Sequence, residues 1–487
     1  MSLRRELLGR FQFELVARIV GSISGALLTV GLARILSTDE YGLLFLAISV
    51  FGVIELISRL GIPKAGARYI TQYREKDPDQ IPGLLRYIFL LNIAVAFIAS
   101  SLLFVGSGPI SQAVNEPELA ILLLLGTVFV TSSAVFKFSR IQLQAFEDIN
   151  SAAVIYALER GIRASTAIGL AIIGYGAVGA LIGYILASVI GGIIGVGILY
   201  RRYFQGETVL SLEKGLRTRV VRYSVPITAT SAANTIDKKI DTILVGFFLD
   251  PIAVAFYTLP RQIISFIQTP VSALGFSLSP TFESQKASGN AALAARIYEK
   301  SLFHILLIYI PAAAGIVLVA EPFISIIFGP DYSGAIPVLQ ILALQIVLLA
   351  VAILTSNSLD YLGRARERAI AKTITALLNL LLNILLIPTI GVVGAAISTV
   401  TTFSIYTFVS IYIMAQELEI RLNWLFWRVG KIIVITLIMS PFVYAMLLIG
   451  EGALSLLLSI IVGTAIWFGG AVLLRLIDLK KLAEKVS

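Results

Sequence analysis

Residues 176–180 read Gly-Ala-Val-Gly-Ala, and 215 residues later, at 391–395, the chain reads Gly-Val-Val-Gly-Ala. Each opens an apolar segment of roughly 20 residues, the length that crosses a bilayer as a helix. A looser pair, Tyr41-Gly42-Leu43 and Val254-Ala255-Phe256, lies 213 residues apart. Small residues recur in membrane helices for packing reasons alone, but two concordant offsets favour a repeat. Helices 1–6 then recur as helices 7–12 in the same orientation, because six crossings return the chain to its starting side. Parallel repeats of this kind imply a pseudo-two-fold axis along the membrane normal and a cavity between the halves.

Working outward, the chain divides into about fourteen apolar segments of bilayer length. The expected fold is an all-α polytopic membrane protein: two parallel six-helix repeats, an appended helix pair and a central cationic cavity. The expected organisation is an N-lobe at 1–200, a cytoplasmic basic linker at 201–222, a C-lobe at 223–414, and helices 13–14 with a cytoplasmic tail at 415–487. Charge sets the orientation. The odd-numbered loops contain no Lys or Arg, whereas Arg and Lys crowd the termini and the even loops. The positive-inside rule places both termini and the even loops in the cytoplasm, in a multi-pass protein of the cytoplasmic (inner) membrane. The N-terminal Met-Ser-Leu-Arg-Arg resembles a signal-peptide start, but Glu14, Arg18 and Arg34 in the following apolar stretch favour an uncleaved first helix.

Composition narrows the chemistry. The 487 residues are 57% hydrophobic and 14% charged, against about 25% charge in soluble domains. A net charge of +9 concentrated at membrane boundaries suits anionic lipid and not nucleic acid. There is no cysteine and a single histidine, His304, so thiolate chemistry and His-paired triads are excluded. His304 is assigned no role.

The charges inside apolar segments carry the functional signal, since a cation in hydrocarbon costs several kcal/mol unless it faces water or a partner. Glu14 and Arg18, like Glu55 and Arg59, are four residues apart and share a helix face. Glu159, Arg160 and Arg163 fall in helix 5, Asp237, Lys238, Lys239 and Asp241 in helix 7, and Arg261 in helix 8. Arg86, Arg59 and Arg34 lie close enough to a boundary to snorkel. The expected cationic cavity is formed by Arg18, Arg59, Lys238, Lys239, Arg261, Arg160, Arg163 and Arg34. Its ligand would be anionic, with phosphate favoured by the planar guanidinium fork. Asn379, Asn383, Thr399 and Asp241 offer the oxygens of a small-cation site, and interhelical hydrogen bonding explains the amides equally well. Pro226, Pro260, Pro270 and Pro311 mark places where helices can kink.

Several stretches are similar to the Wzx-type oligosaccharide flippases of the multidrug/oligosaccharidyl-lipid/polysaccharide exporter superfamily. They include Leu32 to Leu43, Leu60-Gly61-Ile62-Pro63, Asp241 to Gly246, Ala253 to Tyr257, and Phe328-Gly329-Pro330-Asp331-Tyr332. The resemblance covers nearly the whole chain. It implies fourteen helices around a cationic cavity and a polyprenyl-diphosphate-linked oligosaccharide moved to the outer leaflet by alternating access. It further implies Arg18, Arg59 and Arg261 as cavity arginines, and Asp241, Asn379, Asn383 and Thr399 as a Na⁺ site. An acid at the position of Asn383 in some relatives would make that site more negative than it is here. The expected cofactor is none beyond Na⁺ or H⁺ as coupling ion, and the expected protein is a transporter, not an enzyme, working as a monomer among membrane lipids and glycan-assembly enzymes. Two alternatives stand beside this reading. A drug or metabolite exporter of the same superfamily would be expected to carry acids in its cavity. A membrane enzyme acting on polyprenyl-linked glycans would need a large exterior loop, and the exterior loops are short.

Overall fold

The computed structural model describes residues 2–203, 212–268, 270–272, 275, 281–282, 284–285, 288–450 and 452–477. Part of the basic linker expected at 201–222, part of the C-lobe expected at 223–414 and the end of the expected tail lie outside the described residues. The described residues are predominantly helical, with no strand among them. Eleven helical stretches are long and apolar enough to cross a membrane. The chain is an all-α polytopic membrane protein.

Compactness divides it into residues 1–255 and 256–487. In the first unit, α1 (Ser2–Ile35), α2 (Thr38–Arg59), α4 (Gln80–Val114), α5 (Pro117–Ala145), α6 (Ile149–Leu170) and α7 (Gly176–Tyr203) are the long apolar helices. The short amphipathic α3 (Ile62–Lys76) lies between α2 and α4. The charged α8 (Leu216–Phe248) packs on α2, α3 and α4, and this places it in the first compact unit. α9 (Pro251–Ile267) begins at the boundary. The second unit holds α10 (Ala291–Ile327), α11 (Ala335–Tyr361), α12 (Ala365–Ile390), α13 (Val392–Glu417), α14 (Leu422–Ile449) and α15 (Gly452–Leu473). α8, α9 and α10 run on through Pro226, Pro260 and Pro311.

Local chemistry explains the helix ends. Ser37 caps α2: its hydroxyl accepts from the Glu40 amide at 3.1 Å, and the Glu40 carboxylate accepts from the Ser37 amide at 3.1 Å, a reciprocal capping box. α6 and α7 are separated by a π-turn, Ala171–Tyr175, instead of a loop. The chain reverses there because Gly174 takes φ 100° and Gly176 takes φ 53°, ψ −143°, regions that only glycine enters cheaply. The equivalent reversal between α12 and α13 uses Gly391 at φ 67°, ψ −151°. The two Gly-x-x-Gly-Ala stretches thus share an unusual backbone turn.

Close helix contact follows from the same small residues. A Cβ on Gly183 of α7 would run into the backbone of Ala167 on α6. Backbone cannot yield as a side chain can, so Gly183→Ala should destabilise unit 1 by about 1–3 kcal/mol. A thermal melt of the purified variant checks this, and an unchanged midpoint would refute it.

Candidate functional site

Unit 1 holds a network in which each of three carboxylates is shared by two cations. On α1, Glu14 Oε1 accepts from Arg18 Nε at 3.1 Å and from Arg140 on α5 at 3.1 Å. On α2, Glu55 accepts from Lys137 of α5 at 2.7 and 2.6 Å, from Ser133 at 2.5 Å and from Arg59 at 3.2 Å. On α6, Glu159 is fully buried, hydrogen-bonded to Arg163 and 3.6 Å from Arg160. Two tyrosines join these sets. The Tyr156 ring lies 4.1 Å from the Arg140 guanidinium and 5.2 Å from that of Arg160, and the Tyr184 ring on α7 lies 4.6 Å from Arg163. Lys137 and Arg163 are in Coulombic range of each other. The stem of Lys239 on α8 packs over Gly52, one turn before Glu55.

The expected cations divide accordingly. Arg18, Arg59, Arg160 and Arg163 enter the network. Lys239 borders it through Gly52, and Lys238 is exposed on α8. Arg34 is exposed in the last turn of α1, about 24 Å along the helix from Arg18 at ~1.5 Å per residue, so it belongs to a different level. Arg86 is exposed near the start of α4. Sequence reasoning did not single out Lys137 and Arg140. Their three-residue spacing at the end of an apolar segment is the signal that was available.

Unit 2 contains a polar cluster of another kind. Arg261 on α9 donates to the Tyr257 hydroxyl at 3.2 Å, and that hydroxyl lies 3.0 Å from Thr399 Oγ1 on α13. Asn383 donates to Asn379 Oδ1 at 3.0 Å, and Asn379 Nδ2 lies 3.4 Å from Thr402 Oγ1. Asn379, Asn383 and Thr399 are all buried. The sequence-expected arginine and the expected neutral cation ligands therefore converge in unit 2. Amide and hydroxyl oxygens suit a hard cation; the other expected ligand, Asp241, is buried on α8 of unit 1. No group of three or more His, Cys, Asp or Glu residues able to hold a metal occurs among the described residues. Unit 2 also has an apolar cavity of about 420 Å³ lined by α9, α10, α11, α14 and α15, with Ile263, Pro311, Gly315, Met439, Val443 and Trp467 among its walls.

The ends of the helices carry contrasting charge. Glu116 has its carboxyl pushed up by burial and by the neighbouring Asp39, Asp250 and Glu118. On the basic side, Glu213 accepts from Tyr73, from Arg219 at 2.7 Å and from Lys76 at 3.2 Å, and Arg219 also donates to the Tyr73 hydroxyl at 3.0 Å. These bonds lower the Glu213 carboxyl from its usual 4.5 to about 2, while burial and Glu213 raise the Tyr73 hydroxyl. A depressed acid stabilises the fold above its unfolded value and loses that contribution as pH falls through the folded value. The latch between α3 and the start of α8 should therefore hold at neutral pH and weaken between pH 4.5 and about 2. Comparing melting midpoints of wild type and Glu213→Gln checks this: the gap should be constant above pH 5 (roughly the upper edge of the titration) and close near pH 2. A gap independent of pH would exclude the latch.

The family model described as Polysaccharide biosynthesis protein matches residues 12–286, more than half of the chain. The chain belongs to this family. A second family model, MatE, matches residues 226–385 of the chain. Among similar proteins, the Lipopolysaccharide biosynthesis protein WzxC of Escherichia coli is 24% identical over 432 residues, 85% of this chain and 82% of its own. The "Probable low-salt glycan biosynthesis flippase Agl15" of Haloferax volcanii is 26% identical over 200 residues, 41% of this chain and 42% of its own. Among solved structures, that of the lipid II flippase MurJ in an inward closed conformation superposes with a TM-score of 0.76 at 16% identity, over 95% of this chain and 98% of MurJ. An inward-facing multidrug resistance MATE transporter of the MOP superfamily gives 0.67 at 15% identity, over 86% and 98%. The chain shares the fold of these two transporters, and the relatives named here are flippases and transport proteins and not enzymes.

Proposed function

We propose that this protein is a flippase that moves a polyprenyl-diphosphate-linked oligosaccharide from the cytoplasmic to the outer leaflet by alternating access. The observation that carries the reading is the excess of cations over carboxylates within membrane-crossing helices: Arg18, Arg59, Lys137, Arg140, Arg160 and Arg163 share only Glu14, Glu55 and Glu159. Such a balance favours an anion and disfavours the cationic drugs for which an exporter would carry acids. The relatives' names support the same reading, since one is a "Probable low-salt glycan biosynthesis flippase", one a "Probable flippase" and one a succinoglycan biosynthesis transport protein. Dragging a diphosphate and sugars through hydrocarbon leaves polar groups unsatisfied at several kcal/mol each; cationic side chains facing water remove most of that barrier. Arg261 takes the phosphates in unit 2, and the apolar cavity of the same unit accepts part of the isoprenoid chain.

The repeat of helices 1–6 as 7–12 is part of this proposal, supported by the matching turns at Gly176 and Gly391. So are an inner-membrane location with cytoplasmic termini, a functional monomer, and coupling to Na⁺ or H⁺. In that coupling Asn379, Asn383 and Thr399 would supply neutral oxygens within unit 2. An anion leaving a negative-inside cell gains about 2.3 kcal/mol per charge per 100 mV, and an entering cation would reset the emptied protein.

The test is leaflet translocation in liposomes of a fluorescent polyprenyl-diphosphate oligosaccharide. Rapid loss of quencher protection with wild type, absent from empty liposomes, is the expected result. No translocation under Na⁺, proton or potential gradients, across several glycans, would reject the proposal.

A further inference from the structure

We propose that Trp467 of α15 is the positioning residue of the apolar cavity in unit 2: its indole N–H closes the break that Pro311 leaves in α10, and this bond holds the cavity open for one isoprenoid chain. The proposal deepens the flippase reading, on which it rests for the identity of the chain but not for the bond. In an α-helix each backbone N–H is donated to the carbonyl four residues back, and proline has none to give. Pro311 therefore leaves the carbonyl of the buried Leu307 without its helical donor. Trp467 Nε1 donates to that same carbonyl at 3.0 Å. In hydrocarbon a freed backbone group has to be served from a neighbouring helix, and here a tryptophan of another helix supplies the missing bond.

Both residues are walls of the cavity, with Gly315 one turn beyond Pro311 on α10. Two further side chains fasten α10 to the other walls. Tyr309 donates to the Ile267 carbonyl at the end of α9 at 2.9 Å, and Gln340 of α11 donates to the Val317 carbonyl at 3.2 Å. Protein interiors pack to high density, so a void of about 420 Å³ persists where its walls are held at a set separation. Directional bonds at Leu307, Ile267 and Val317 do that. A Cβ on Gly315 would meet nothing within 4 Å, so this glycine serves no close helix contact and leaves the space free. The occupant follows from α9. Ile263 and Ile267 of the cavity wall stand on the same helix as Arg261, and Ile267 is six residues, or about 9 Å, along it. An apolar chain attached to a phosphate at Arg261 is delivered to the cavity, whereas a chain of bulk lipid has no such anchor.

The chain holds three tryptophans, and Trp424 and Trp427 are not among the cavity walls. The experiment is the fluorescence of Trp467 in full-length Trp424→Phe/Trp427→Phe protein in nanodiscs. The probes are farnesyl phosphate brominated at its terminal isoprene unit, because bromine quenches an indole on contact, and separately phosphatidylcholine brominated on its acyl chains. Saturable quenching by the farnesyl phosphate is expected, and Gly315→Leu, which fills the cavity, should abolish it. Binding of tritiated farnesyl phosphate should weaken about tenfold in Trp467→Phe, which keeps a ring but no donor. Pro311→Ala, which returns the helical donor to Leu307 and displaces the indole, should weaken it to a similar extent. The double variant should bind no more weakly than the weaker single variant, since both substitutions break one bond. Additive losses, or unchanged affinity in both single variants, overturn the role of Trp467. Quenching that survives Gly315→Leu, or that only the brominated phosphatidylcholine produces, overturns the occupant. A protein that binds the chain in this way without translocating a glycolipid keeps the Trp467 bond and loses the flippase reading; one that translocates equally well as wild type and as Trp467→Phe does the reverse.

Discussion

Glu55→Ala should destabilise unit 1 by about 3–5 kcal/mol, the cost of breaking a buried ion pair from one side. Glu55 is 7% exposed and accepts from Lys137, Ser133 and Arg59 together. Its removal leaves Lys137 and Arg59 facing each other as like charges and deprives the Ser133 hydroxyl of its acceptor. Denaturant unfolding of the purified variant measures the loss. A double variant, Glu55→Leu with Lys137→Met, should recover most of the stability, because apolar side chains of similar volume replace buried ion pairs at little cost. That recovery separates the penalty of an unpaired charge from the worth of the pair. Wild-type stability in Glu55→Ala would mean that the network is solvated enough to do without its carboxylate.

Arg261→Ala is expected to slow translocation about a hundredfold, roughly 2.7 kcal/mol of lost stabilisation at about 1.4 kcal/mol per tenfold. The guanidinium is held in place, with its NH1 3.2 Å from the Tyr257 hydroxyl and its centre 5.2 Å from the Tyr257 ring. Tyr257 is fully buried and anchored in turn on Thr399 at 3.0 Å. A pre-positioned fork binds phosphate oxygens with little further ordering. Arg261→Lys keeps the charge without the fork and should fall between wild type and alanine. Tyr257→Phe keeps the ring but removes the hydroxyl that accepts from the guanidinium, with an expected loss of about tenfold. Liposome translocation rates, with folding verified by size-exclusion profile, decide it. Unchanged rates in Arg261→Ala would remove unit 2 from phosphate handling.

The membrane-length helices were legible because hydrocarbon demands length and apolarity of each segment independently of its neighbours. The pairs Glu14–Arg18 and Glu55–Arg59 were legible for a similar reason: spacing of four fixes a shared face. α3 escaped that reading, being 15 residues long and rich in charge. Its start signals were present in Gly61, at φ 66°, and Pro63 in the first turn, but a search for bilayer length passes over them. Lys137 and Arg140 were hidden for a deeper reason. Their carboxylates are on α2 and α1, far away in sequence, and only tertiary packing brings them together. The convergence of Arg261 with Thr399 through Tyr257 was equally out of reach, since a buried tyrosine in an apolar helix looks like core until its hydroxyl is located.

The glycine reversals at Gly176 and Gly391 leave no slack between the helices they join. A loop stores spare length that lets two helices slide past each other; a turn made within the helical path does not. α6 with α7, and α12 with α13, are thus struts whose two legs share their degrees of freedom. Whatever rearrangement either unit undergoes must carry each strut as a single body. A tag inserted at these apices would lengthen a leg and unseat Gly183 from Ala167, or Gly394 from the Leu386 carbonyl.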